Sequence, residues 1–230
     1  MKINNFINTE EMGDWAEKLS LVSIRENWCR NMSTFLQKRY AFFHVYPEKQ
    51  NIFKAFKLTQ FKDLKVVIIN QHPYTDERAT GLAFANNESK NSDISPSLRK
   101  IEKCIESKVK DGLYFMDYDL ENWAKQGVLL MNAALTVEKD KPNSHNIYWN
   151  HFTEKVIETI NMYHSGVIFL FIGRGLAPYV KTIDTNRHYV LKYEKPATAI
   201  IKNKDWNCPH FNTINKIIEE NNGKEFKINW

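Results

Sequence analysis

No run of about 18 apolar residues occurs anywhere in the 230-residue chain, which excludes a transmembrane helix and any membrane partner of that kind. Cysteine is scarce. Cys29, Cys104 and Cys208 are odd in number and far apart, a pattern that suits neither a disulfide framework nor a paired-cysteine metal site and points to a reducing cytoplasm. The opening residues, M-K-I-N-N-F-I-N-T-E-E, lack the long apolar core and small-residue cleavage site of a secretory leader, so none is expected. The seven histidines form no ligand-spaced pair, and no metal is expected. Repeats, low-complexity tracts and linkers are missing too, which leaves a single domain over residues 1–230 as the expectation. Strong charge asymmetry is also absent: the net charge of +5 leans only mildly toward an anionic partner such as nucleic acid.

What is present is a core and the elements to surround it. Hydrophobic residues make up 43% of the chain, ample for a packed interior. Residues 1–30 are polar with scattered aromatics and read as an N-terminal helical extension. Leu64 to Asn70, Val128 to Asn132 and Val167 to Ile172 are short runs with continuous apolar stretches (V-V-I-I, V-L-L-M and V-I-F-L-F-I) of the sort buried on both faces of a parallel sheet. His188 to Leu191 reads as a fourth buried strand, and Gly81 to Ala85 as a further short one. Between them lie helical patterns. Ser95 supplies an N-cap and Pro96 a first-turn residue ahead of Leu98, Ile101 and Ile105. Trp149 to Tyr163 and Phe211 to Asn221 keep helical periodicity, while Glu194 to Asn207 reads as a loop. Strands alternating with helices predict an α/β fold, a four-stranded mainly parallel sheet sandwiched between helices. On such a sheet the polar residues after the strand ends, His72, Asn132 and Lys195, would converge at one edge, the usual place for a ligand.

The order and spacing of these segments resemble the uracil-DNA glycosylases from about Phe35 to Trp230. K-V-V-I-I-N-Q-H-P-Y (65–74) stands where that family has a strand followed by G-Q-D-P-Y-H. G-L-A-F (81–84), S-P-S-L (95–98), W-A-K-Q-G-V-L-L-M-N-A-A-L-T-V (123–137), N-S-H-N-I-Y-W (143–149), C-P-H-F (208–211) and the closing I-N-W follow in the family's order. The resemblance implies an enzyme that flips a base out of DNA and cleaves its N-glycosidic bond without a cofactor, as a monomer. It implies a base pocket of Phe84 stacking on the base, Asn132 pairing with its polar edge, Tyr74 excluding a 5-methyl group and Gln71 adding backbone contacts. It implies DNA contacts from Ser95, Pro96, Ser97, Gly173, Arg174, Pro196 and Ala199, the last where the family has a leucine that fills the vacated stack. Arg99, Lys100, Lys202 and Lys204 are further cations beside these loops.

The chain departs from the family where the chemistry lies. His72 replaces the motif's aspartate, Thr75 its following histidine and Asn70 its glycine; Lys195 opens K-P-A-T-A-I in place of H-P-S-P-L-S. His72 and Lys195 are therefore the candidate catalytic pair, with Asp76, Glu77 or Glu194 as carboxylates that could compensate. Three readings stand at this point. The main one is a DNA glycosylase for a modified pyrimidine, with a role in antiviral defence. The others are a uracil-DNA glycosylase of ordinary substrate, serving DNA repair, and a catalytically inactive DNA-binding relative.

Overall fold

The computed structural model describes residues 9–19, 27–86, 94–108 and 114–230. Of the expected N-terminal extension, residues 1–8 and 20–26 lie outside these. The rest gives a 3₁₀ turn (Thr9–Met12), helix α1 (Trp15–Lys18) and the start of α2 (Asn27–Phe42). The α1 segment is built into the core: the fully buried Trp15 donates from Nε1 to the Thr59 carbonyl at 2.7 Å and packs edge-on against Phe56.

After α2 come β1 (Val45–Tyr46), α3 (Lys54–Leu58), β2 (Val66–Asn70), α4 (Pro96–Glu106), α5 (Glu121–Lys125), β3 (Val128–Asn132) and β4 (Val137–Glu138). The chain closes with α6 (Asn146–Tyr163), β5 (Ile168–Ile172), α7 (Ala177–Val180), β6 (Tyr189–Tyr193), α8 (Pro196–Ile201) and α9 (His210–Asn222). Strands β3, β2, β5 and β6 form a parallel sheet in that order, and β1 pairs with β4 as a small antiparallel ribbon that no sequence signal had marked.

The apolar runs explain the sheet's centre. Val66 to Ile69 and all of β3 and β5 are buried, because neighbouring strands satisfy their backbones and helices cover their faces. One expectation fails here. The fourth strand is not buried but a half-exposed edge strand, with Tyr189 and Lys192 facing solvent and only β5 beside it. The aromatics that bind helices to the sheet fall into two groups. Trp15, Phe56, Trp149 and Phe152 form one, and Trp123, Trp206, Phe211 and Trp230 the other, with centroid spacings between 5.1 and 6.2 Å. The sheet thus presents the C-terminal ends of β2, β3, β5 and β6 along one rim, and every catalytic candidate lies on it.

Candidate active site

Parallel register sets the polar strand ends side by side. Asn70 and Asn132 are partners in the β2–β3 ladder, so their side chains leave the sheet on the same face. Asn70 Nδ2 donates to Asn132 Oδ1 at 2.9 Å and to the His72 carbonyl at 2.8 Å. Asn132 is 1% exposed. With its Oδ1 already facing Asn70, no group among the described residues accepts from its Nδ2. That nitrogen is not among the buried polar atoms left without a partner, so it stands open to the cleft, where a ligand can accept from it.

A relay of hydrogen bonds fixes the aromatic part of the site. The Leu98 N–H donates to Ser95 Oγ at 3.0 Å, which caps α4. Ser95 Oγ lies 2.5 Å from the Tyr74 hydroxyl, which donates onward to the Phe84 carbonyl at 3.1 Å. Burial pushes the Tyr74 phenol up to about 12, against the smaller opposing effect of Ser95, so it remains a donor. The relay pins Phe84, which holds a left-handed φ of 68° at a cost of about 1–3 kcal/mol for a non-glycine residue. Gly81 to Ala85 is consequently a run of bends, not the strand expected, anchored by the Ala83 N–H on the Leu130 carbonyl at 3.0 Å. Phe84 is 7% exposed and packs on the core, with its carbonyl held by Tyr74.

Lys195 reaches across the rim. It follows β6, yet its Nζ donates to Oε1 of Gln71, which follows β2, at 2.6 Å. Strand β5 lies between them and ends at Ile172, with Gly173 next in the chain. A side chain at Gly173 would put its Cβ 2.7 Å from Lys195 Cε, and the residue's φ of 123° disfavours one in any case. At Gly175 a Cβ would meet Gln71 Nε2 at 2.9 Å. Two glycines thus clear the path along which the lysine meets the glutamine. Burial lowers the Lys195 pKa, and no carboxylate among the described residues pairs with it.

His72 sits beside this pair. Its Nδ1 is 2.8 Å from the Pro73 carbonyl, which can only accept, so Nδ1 carries the proton and Nε2 keeps its lone pair. Burial lowers the His72 pKa most; the Pro73 bond opposes this and the Lys195 charge adds to it. The imidazole is therefore neutral at pH 7, a base rather than a cation. The carboxylates expected to compensate for the lost aspartate are engaged elsewhere or exposed. Asp76 pairs twice with Arg78 (2.9 and 2.5 Å), Glu194 pairs with Lys202 at 3.2 Å, and Glu77 is exposed.

The predicted DNA contacts divide. Pro96 is exposed and Ser97 half-buried in the first turn of α4, and Arg174 is exposed just after Gly173. Ser95 is buried, with its hydroxyl committed to the relay and its N–H to Asn86. Pro196 is buried at the start of α8. Ala199 corrects an expectation: it is fully buried and has no access to a base stack. The exposed apolar side chains of that segment are Ile200 (37%) and Ile201 (86%). The loop expected over 194–207 contains helix α8, which turns Ala199 inward. Pro196 ahead of A-T-A-I-I was the readable signal, since proline favours the first turn of a helix. Of the other cations, Lys100 binds the Lys204 carbonyl and Asp205, and Lys202 binds Glu194.

Residues 56–219 match the model of the uracil-DNA glycosylase superfamily. The chain belongs to that superfamily. Its relatives include a uracil-DNA glycosylase of Buchnera aphidicola subsp. Acyrthosiphon pisum (strain Tuc7), 40% identical over 218 residues that cover 94% of this chain and 97% of that protein. Another, from Fusobacterium nucleatum subsp. nucleatum, is 38% identical over 233 residues, spanning 100% of this chain and 96% of the relative. The crystal structure of mimivirus uracil-DNA glycosylase superposes with a TM-score of 0.85 over 98% of this chain and 90% of that one, at 19% identity, which concerns the fold. As a superfamily member the protein is a DNA glycosylase, a hydrolase of N-glycosyl bonds acting on DNA.

Proposed function

We propose that this superfamily member excises ordinary uracil from DNA, with His72 activating water and Lys195 facing the departing base. The observation that carries the substrate is the set of the Asn132 amide. Uracil offers an acceptor at C4 and an N–H at N3. These suit a free Nδ2 donor and the second lone pair of Oδ1. Cytosine would oppose its exocyclic amino donor to that Nδ2. Tyr74, held between Ser95 and Phe84, has no freedom to retreat from a bulky 5-substituent. The modified pyrimidine that the altered motifs suggested is for this reason set aside, and relatives at 38–40% identity bear the name uracil-DNA glycosylase. The antiviral role tied to it has no support of its own.

The chemistry follows from the two protonation states. Cleavage builds positive charge on the sugar and negative charge on the leaving base. A neutral His72 does not repel the sugar cation, and its Nε2 can take the proton of an attacking water. The Lys195 ammonium stabilises the base's developing oxyanion, and its lowered pKa eases transfer of a proton to it. A neutral imidazole supplies no charge of its own, so turnover should fall below that of a carboxylate enzyme by about 10²–10³, the usual scale of one lost electrostatic group.

The test is a panel of oligonucleotides with one uracil, cytosine, thymine or 5-hydroxymethyluracil at a fixed position, scored for free base and alkali-labile sites. Uracil alone should be released. Release of a 5-substituted base in preference to uracil would refute the assignment. DNA retention with no release of any base would make the protein a binding-only relative.

A further inference from the structure

The Lys195 amine is suited to a second reaction, which depends on the glycosylase reading only for the presence of DNA in this cleft. We propose that Lys195 forms a Schiff base with an abasic sugar and cleaves the strand by β-elimination, making the protein an abasic-site lyase as well.

The geometry has three parts. The amine is held at the rim by a single acceptor, Gln71 Oε1 at 2.6 Å, and no carboxylate among the described residues fixes its charge. Its path over β5 is kept open by Gly173, where a Cβ would crowd Cε at 2.7 Å. Beside it stands His72, whose Nε2 is unprotonated because Nδ1 donates to Pro73. The amine's acceptor, Gln71, and the base, His72, are consecutive residues of one turn, and the Lys195 charge acts on His72. Burial adds to this by easing the loss of a proton from Nζ.

The steps balance without any further reagent. A neutral amine keeps one N–H on Gln71 and turns its lone pair to C1′ of the ring-opened abasic sugar, which is an aldehyde. The C1′–N bond forms and water leaves, giving the imine, which takes one proton from solvent to become the iminium. His72 Nε2 takes a proton from C2′, so that the C2′–H pair forms the enamine double bond and the iminium π pair settles on nitrogen. That nitrogen pair then flows back, C2′=C3′ forms and the C3′–O bond breaks, so that the 3′ phosphate departs with its pair. Hydrolysis of the conjugated imine returns the free lysine.

An end-labelled oligonucleotide with one preformed abasic site tests this independently of base cleavage. Incubation of the full chain with sodium borohydride should reduce the imine to a stable amine, giving a covalent protein–DNA band on a denaturing gel. Without borohydride the strand should be nicked 3′ to the site. Lys195→Arg should give neither. Peptide mapping of the wild-type adduct by mass spectrometry should place it on Lys195, a readout that holds even if the variant folds poorly. No adduct from the wild-type protein, or an adduct on another lysine, overturns the proposal. Uracil release measured in parallel separates the two readings. Release without an adduct leaves the glycosylase and removes the lyase, whereas an adduct without release does the reverse.

Discussion

Asn70 should control which base is read, and Asn70→Asp gives the sharpest way to see it. In the native site Asn70 Nδ2 holds Asn132 Oδ1 at 2.9 Å, so Asn132 offers its donor to the base. A carboxylate at position 70 would repel that oxygen and attract the amide nitrogen. A hydrogen bond to a charged group is worth about 1.5–3 kcal/mol, and the relief of oxygen–oxygen repulsion adds to it. The amide should therefore turn over, with a preference of about ten- to a hundredfold from the hydrogen bond alone at 1.4 kcal/mol per factor of ten. Asn132 would then present an acceptor to the cleft. Uracil's C4 oxygen would meet that acceptor, while cytosine's amino group would gain a partner. The expected result is a fall of at least about a hundredfold in the uracil-to-cytosine ratio of release rates, within the range of sites built around one polar contact. The assay is single-turnover release from matched oligonucleotides, with circular dichroism to confirm the fold. Asn70→Ala frees the amide without reversing it and should shift the ratio less. An unchanged ratio, with both rates lowered together, would show that Asn70 is scaffold and that the amide's direction does not set the substrate.

Three other outcomes follow from the same geometry. Gly173→Ala should displace Lys195 from Gln71 and cut uracil release by at least about tenfold, since small misplacements of catalytic groups are expensive; an unaltered rate would mean the crossing over β5 is irrelevant. Binding to DNA should weaken steeply with salt, and Arg174→Ala should lower the slope of log affinity against log salt by about 1, the share of one phosphate contact; an unmoved slope would take Arg174 off the interface. Burial depresses the His145 pKa to about 4, with Glu138 opposing, so protonation favours the unfolded chain. That contribution, on the order of 3 kcal/mol at 1.4 kcal/mol per pH unit, is present in full above pH 6.5 and lost as pH falls to about 4. Urea midpoints at pH 7 and pH 4 should differ less for His145→Asn than for the native chain, and an equal difference would discard the linkage.

The legible parts of the molecule were those whose cause is local. Val66 to Ile69, Val128 to Met131 and Ile168 to Ile172 carry continuous apolar character because each is covered on both faces, and composition alone reveals that. Ser95 and Pro96 announce α4 through the chemistry of its first turn. What escaped depends on partners distant in sequence. Phe84 leaves the extended conformation because Tyr74 and Ser95 hold its carbonyl, and apolar periodicity has no access to that bond. The edge position of β6 follows from strand order, so its runs of tyrosine and valine read as core when they are half in solvent. At the site, His72, Asn132 and Lys195 were foreseen at one edge. Asn70 was noted only as a departure from a glycine, although register makes it the residue that aims Asn132. The protonation states were equally hidden, since they depend on the Pro73 carbonyl and on Lys195 pairing with no carboxylate among the described residues, Glu194 being turned to Lys202.

The central claim is that a neutral histidine performs the work of the missing acid. Single-turnover release of uracil from a single-uracil oligonucleotide, by the native protein and by His72→Ala, tests it most directly. The native protein should release free uracil and leave an alkali-labile site, with activity falling on the acid side as His72 gains its proton below pH 6.5. The variant should be slower by at least about a hundredfold, the usual scale of a lost acid–base group. Equal rates for the two, or no uracil from either while DNA remains bound, would contradict the account.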